Sequence, residues 1–203
     1  MVSERRELVG VTTTVDADMM LAGYPRGLFA MSYSSVLYQW WSPDPRGVLP
    51  LDRLRVTRSL AKSCRRHTTS IDKDFDAVLA RCEDTRRPGG WIDARLAQAY
   101  RTLHERGHAH SVEVWDAQGE LVGGLFAVTV GGFVSGESMF HLQRDASKVA
   151  LVALVERLSE TGQPVVLDTQ WCTPHLASLG VVEVRRRDYQ RMVRNVIDSR
   201  PVL

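Results

Sequence analysis

Cysteine is scarce: Cys64, Cys82 and Cys172 are the three in 203 residues, and no CxxC pair occurs. Thiols so few and so scattered exclude a disulfide framework, and each is read as a buried or free thiol. No apolar run reaches the ~18 residues that a membrane span needs. The charged start, Met1 to Glu7, has no apolar stretch of signal-peptide type, so the cytoplasm is the expected compartment and no membrane partner is expected. No GxxxxGK[ST] loop and no GxSxG elbow are present, which argues against a P-loop enzyme and against a serine hydrolase of the elbow type. Internal repeats and low-complexity segments are absent as well. Net charge is only +2, which says little about partners.

What is there is the composition of an ordinary folded protein, 44% hydrophobic and 25% charged, in a length that suits one domain or one domain with a small appendage. Residues 16–23 read as a short helix with Gly23 as its stop. Residues 1–15 read as an irregular lead-in, and 34–49 as strand pieces interrupted by Pro43 and Pro45. Helical patterns follow at 57–66, 72–82 and 93–106, with Gly89 and Gly90 breaking the chain before Trp91. The period then changes. HSVEVW alternates, and 121–138 folds over Gly131 and Gly132 as a hairpin. A helix at 145–160, a strand at 165–170, a short helix at 173–179, a strand at 181–184 and a helix at 188–197 complete the pattern. This predicts an α+β fold, largely antiparallel, with residues 1–50 as a reduced N-terminal subdomain and 51–203 as the main domain.

Several groups of residues could carry chemistry. Arg58, Lys62 and Arg65 fall at helical spacing, with Arg66 beside them and no acid between residues 53 and 66. Such a stripe either meets nucleic-acid phosphates or is a solvated helix face. His104, His108 and His110 look like a metal cluster on paper, but Gly107 should end the helix between the first two and no acid or cysteine completes the set; no metal is expected. Glu137 sits in an otherwise apolar strand, where alternation places it with Met139 on one face. A buried carboxylate there needs a partner, either an arginine of the fold or a cationic ligand. Asp168 and Gln170 would share a strand face and could hydrogen-bond each other. Trp40, Trp41 and Trp91 stand beside turn signals, placed for base stacking or for packing.

The strings YPRGLF, WWSPDPRGVL, GGWI, LHERGHAHSVEVW, ELVGGLF, GESMF, ASKVAL, LDTQ, HLASLG and RRRDY run in order from Tyr24 to Tyr189. Together they resemble the leucyl/phenylalanyl-tRNA–protein transferases. The resemblance implies an acetyltransferase-like (GNAT-like) core behind a smaller N-terminal domain. It implies transfer of Leu, Phe or Met from aminoacyl-tRNA, Leu-tRNA above all, to the α-amine of proteins beginning with Arg or Lys. It places Trp91 near the 3′ adenosine and the donor side chain among Leu125, Met139, Leu151, Leu154 and Leu158. Glu137, Asp168 and Gln170 become the catalytic centre, and Arg58, Lys62, Arg65 and Arg66 meet the tRNA. No cofactor is implied, because the aminoacyl-tRNA is a co-substrate.

The ester is already activated, so aminolysis needs positioning and proton removal. Asp168 could polarise the Gln170 amide, and Glu137 could bind a cationic group of the acceptor. An acyl-CoA N-acetyltransferase would need a glycine-bearing phosphate loop, and the stretch from Arg144 to Val149 has none. The chain departs from the family pattern in its short segment ahead of YPRGLF. It also has Met31 where an aromatic is usual, Thr173 where Asn is usual, and Arg185 where Pro is usual. While the tRNA-side strings survive, most of these changes lie near the reacting centre or its rim. They raise a second reading, a leucyl-tRNA-dependent transferase acting on a small arginine-like molecule in natural-product biosynthesis. A third is a noncatalytic aminoacyl-tRNA binder.

Overall fold

The structure, a computed structural model, describes residues 7–83 and 90–203. The charged start at 1–6 and the expected break at Gly89 lie outside the described residues. A three-stranded antiparallel sheet is built from β1 (Leu8–Thr12), β2 (Phe29–Ser34) and β3 (Leu37–Trp41), in the order β1-β3-β2. Between β1 and β2 runs α1 (Ala17–Gly23). Asp16 starts that helix by accepting the Met19 N–H at 2.8 Å. A 3₁₀ turn, Tyr24–Arg26, then closes on Gly27, whose φ of 75° suits glycine.

The remaining strands are β4 (Arg46–Leu49), β5 (Thr68–Ile71), β6 (Ala109–Trp115), β7 (Leu121–Val130), β8 (Phe133–His141), β9 (Val166–Gln170) and β10 (Val182–Val184). They form one sheet in the order β10-β4-β9-β8-β7-β6-β5. Every neighbouring pair is antiparallel except β8 and β9. This is the mixed, largely antiparallel α+β architecture expected from the sequence.

Helices cover both faces. α3 (Phe75–Glu83), α4 (Ala94–Glu105) and α7 (Arg186–Val196) share one core with Phe126, Phe133 and Phe140. The first turn of α4 is capped by Asp93, which accepts the Arg95 and Leu96 N–H groups. On the opposite face α2 (Arg58–Cys64) and α5 (Ala146–Glu160) pack on Leu125, Val134 and Leu167. Residues that alternate along β7 and β8 thus feed two different cores. The short α6 (Pro174–Ser178) follows β9, capped by Thr173.

Three expectations need correction. Residues 8–12 are not irregular lead-in but β1, which pairs with β3. Thr68–Ile71, left between two helices, is the edge strand β5 beside β6. The expected boundary at residue 50 cuts through the large sheet, because β4 lies between β10 and β9. The small sheet is not a separate body either: Phe29, Tyr38 and Trp40 belong to the same core as Leu96 and Phe126.

Candidate active site

β8 and β9 run side by side only as far as the Ser135–Asp168 register pair. Beyond it β8 stays with β7 and β9 stays with β4, so the sheet opens. Leu125, Phe126, Met139, Leu151, Leu154, Leu167 and Leu176 surround a cavity of about 210 Å³ in the opening, with Glu137, Ser138, Thr169 and Gln170 as its polar members. Four of the five residues expected around a donor side chain are there. Leu158 is not. It lies one helical turn past Leu154 on α5, fully buried in the core. Phe126, Leu167 and Leu176 were missed. Phe126 follows Leu125 on β7, Leu167 precedes Asp168 on β9, and Leu176 comes from α6, which follows β9.

Glu137 sits in a β-bulge. Phe126 faces Ser138 and Ala127 faces Gly136, so Glu137 has no partner across the ladder. Simple alternation therefore fails. Met139 packs with the α5-side core, whereas Glu137 turns toward α4, where the Tyr100 hydroxyl donates to its Oε2 at 2.7 Å. Of the two expected partners, an arginine of the fold or a cationic ligand, the first is not what the fold supplies; a tyrosine takes that place. Oε1 is buried without a hydrogen-bond partner, and so is the nearby Tyr24 hydroxyl. Burial raises the Glu137 carboxyl above the usual range; the Tyr100 hydrogen bond is the first of the influences opposing it, and the Asp168 charge adds to the rise. Burial, then the Glu137 charge, pushes Tyr24 and Tyr100 well above an ordinary tyrosine.

Asp168 is wholly buried and fully engaged. Arg46 donates to it twice, Nε to Oδ1 at 2.8 Å and Nη2 to Oδ2 at 2.6 Å. The Tyr189 hydroxyl donates to Oδ2 at 2.9 Å, and the Gln170 backbone N–H to Oδ1 at 2.9 Å. Burial works against the Arg46 charge, but the Asp168 carboxylate outweighs it and holds the guanidinium above its ordinary value. The Gln170 side chain points elsewhere: its Nε2 donates to Ser135 Oγ at 2.9 Å. The side-chain contact expected between Asp168 and Gln170 is thus absent. The reason is backbone geometry. Gln170 has a φ of 58°, in the left-handed region, so the strand turns at this residue and presents its N–H to Asp168.

Trp91 lies outside the cavity, half-buried, with its ring edge-on to Tyr100 at 6.3 Å. Its carbonyl accepts the Ser32 hydroxyl at 2.7 Å. Trp40 is a core residue bonded to Thr12, and Trp41 packs edge-on to Trp171. His104 and His110 share Asp72, at 3.9 and 2.6 Å, while His104 also stacks on Phe75 at 4.1 Å and His108 meets the Thr129 carbonyl; no group of three or more His, Cys, Asp or Glu among the described residues is placed to hold a metal. Arg58, Lys62, Arg65 and Arg66 are exposed, and none forms an ion pair among the described residues. Lys62 and Arg66 edge a groove of about 490 Å³ with His67, Gln143 and Arg144, at the start of α5.

The opened sheet thus holds an apolar cavity with a buried carboxylate and an oriented amide among its walls. The family of leucyl/phenylalanyl-tRNA protein transferases matches residues 48–194. A transferase of that name from a Ruegeria species is 44% identical over 190 residues, 92% of this chain and 89% of the relative. One from Herpetosiphon aurantiacus is 43% identical over 186 residues, 90% and 95% of the two chains. The chain belongs to the leucyl/phenylalanyl-tRNA–protein transferase family. Among solved structures, a conserved protein of unknown function from Staphylococcus epidermidis has a TM-score of 0.49 at 10% identity, covering 88% of this chain and 68% of that one. No helix among the described residues is long and apolar enough to cross a membrane.

Proposed function

We propose that this chain moves Leu or Phe, and Met to a lesser extent, from the 3′ ester of aminoacyl-tRNA to the α-amine of proteins that begin with Arg or Lys. The observation that carries the reading is the cavity walled by Leu125, Met139, Leu151 and Leu154, with Glu137 and Gln170 beside it, in a chain of this family. Apolar walls take an unbranched or γ-branched side chain and discriminate sizes weakly, since one methylene is worth only ~1–3 kcal/mol. The ester carries the activation, so the chemistry draws on no cofactor.

Glu137 offers a buried, unpartnered oxygen suited to a cationic group of the acceptor. The Gln170 amide, turned by Ser135, leaves its carbonyl oxygen to orient the attacking amine. Asp168 is a strut and not a proton relay, because its carboxylate is occupied by Arg46, Tyr189 and the Gln170 N–H. Trp91 remains the candidate platform for the 3′ adenosine, and Arg58, Lys62, Arg65 and Arg66 for the tRNA backbone. The unusual Thr173 has a local task that Asn would also serve, accepting the Leu176 N–H to cap α6.

The experiment loads tRNA with radiolabelled Leu and offers two acceptors side by side, a peptide starting with Arg and a small-molecule extract of the producing cell. Label on the peptide is the expected result. Label only in the small-molecule fraction would assign a biosynthetic leucyltransferase. Label in neither, with tRNA retained on a filter, would leave a noncatalytic binder.

A further inference from the structure

Four segments far apart in sequence meet at one guanidinium. Arg46 stands at the start of β4. Its Nε and Nη2 hold Asp168 of β9, and its Nη1 donates to the Gly27 carbonyl at 2.8 Å. Tyr189 of α7 closes the group from the far side, with its hydroxyl on Asp168 and its ring 4.8 Å from the guanidinium carbon. Phe29 covers the guanidinium at 5.1 Å. Arg46 and Tyr189 are 1% and 2% exposed, too buried to be ordinary substrate contacts.

The group has two outlets toward the cavity. Asp168 Oδ1 accepts the N–H of Gln170, the residue held in the left-handed region. Such a conformation persists in a non-glycine residue only when its surroundings fix it. The second outlet is Gly27: its N–H closes the turn on the Tyr24 carbonyl at 2.9 Å, and Tyr24 places its hydroxyl near Glu137. We propose that Arg46 and Tyr189 are positioning residues for transfer: through Asp168 and Gly27 they fix the reversed backbone at Gln170 and the Tyr24 hydroxyl beside Glu137. The Asp168 charge then serves geometry. This rests on the transferase reading above, which the test separates from it.

Tyr189→Phe is the decisive variant, since it keeps the ring on Arg46 and removes one hydrogen bond. Transfer of Leu to an Arg-peptide should show kcat lowered by about tenfold with KM for leucyl-tRNA within about twofold of the parent. If Tyr189 acts through Gln170, the same change made in a Gln170→Ala background should cost less than about twofold further. A residue that only stabilises the fold would lower the melting temperature and leave kcat alone. Hydrogen exchange reads the lock without substrate: in Tyr189→Phe the Gln170 amide should exchange at least about tenfold faster while β6 and β7 amides keep their rates. Unchanged exchange at Gln170, unchanged kcat, or a full second loss on top of Gln170→Ala would each overturn the proposal. Failure of the parent protein to label either acceptor would instead overturn the transferase reading, and the exchange result would still decide the role of Tyr189.

Discussion

Tyr100 holds one oxygen of Glu137 at 2.7 Å and leaves the other buried without a partner. A carboxylate arranged this way is costly until a cation or a proton reaches the second oxygen.

That cost sets a pH dependence. Burial first, and the Asp168 charge with it, raise the folded-state carboxyl of Glu137. The protonated form is therefore favoured by folding. Its benefit is complete below the ordinary carboxylate range and is lost as pH rises through the raised value. Glu137→Gln should melt about 2–4 °C higher than the parent at pH 8, roughly 1 kcal/mol for a chain of this size. The gap should close as the solution is acidified toward the ordinary carboxylate range. The same variant should lose transfer to an Arg-peptide. Calorimetry across pH checks the first expectation, and a gap that widens on acidification would contradict it.

Cavity walls and core are separable on α5. Leu151 lines the cavity and Leu158 does not. Leu151→Phe should lower kcat/KM for phenylalanyl-tRNA relative to leucyl-tRNA by about tenfold or more. Leu158→Ala should leave that ratio unchanged and cost about 2–5 kcal/mol of stability. Donor competition and urea unfolding of the two variants check the pair.

The exposed cations of α2 and of the turn that follows it predict a salt effect. If Lys62 and Arg66 each neutralise a phosphate, replacing either by Ala should reduce the slope of log K against log salt for tRNA by about 0.7–0.9. Filter binding at several salt concentrations reads it. An unchanged slope would return α2 to a solvated surface.

Gly47 shows how close the chain passes behind the site. A Cβ there would lie 2.6 Å from the Trp171 carbonyl carbon and 2.8 Å from the Cys172 nitrogen. Gly47→Ala must push the backbone that follows Gln170. The expected result is about 1–3 kcal/mol of lost stability and a clear drop in kcat, checked by unfolding and by peptide labelling.

Elements with strong local signals could be read from the sequence. The helices expected from residues 16, 93 and 145 do start there, as α1, α4 and α5, and the chain does turn at Gly131 between β7 and β8. The edge strands were not legible: LVGVT is short and broken by glycine, and TTSI is mostly polar, so each takes its strand character from the neighbour it pairs with. At the candidate site, six of the residues singled out do line one cavity, Leu125, Glu137, Met139, Leu151, Leu154 and Gln170, but the direction of their side chains was not legible. Period-two alternation gave Glu137 the face of Met139, but the strand bulges there, and Gly136 beside it was the one mark of the bulge in the sequence. Asp168 was picked out, yet its partner Arg46 stands 122 positions away and was not singled out at all. The buried charge on Asp168 was the one available signal that some arginine had to be near.

The most direct test is a structure with a stable 3′-leucylamido-adenosine bound. The leucyl side chain is expected among Met139, Leu151 and Leu154, with its carbonyl carbon facing Gln170. A leucyl group lodged instead in the groove between Lys62, Arg66 and Arg144, with the cavity empty, would contradict it.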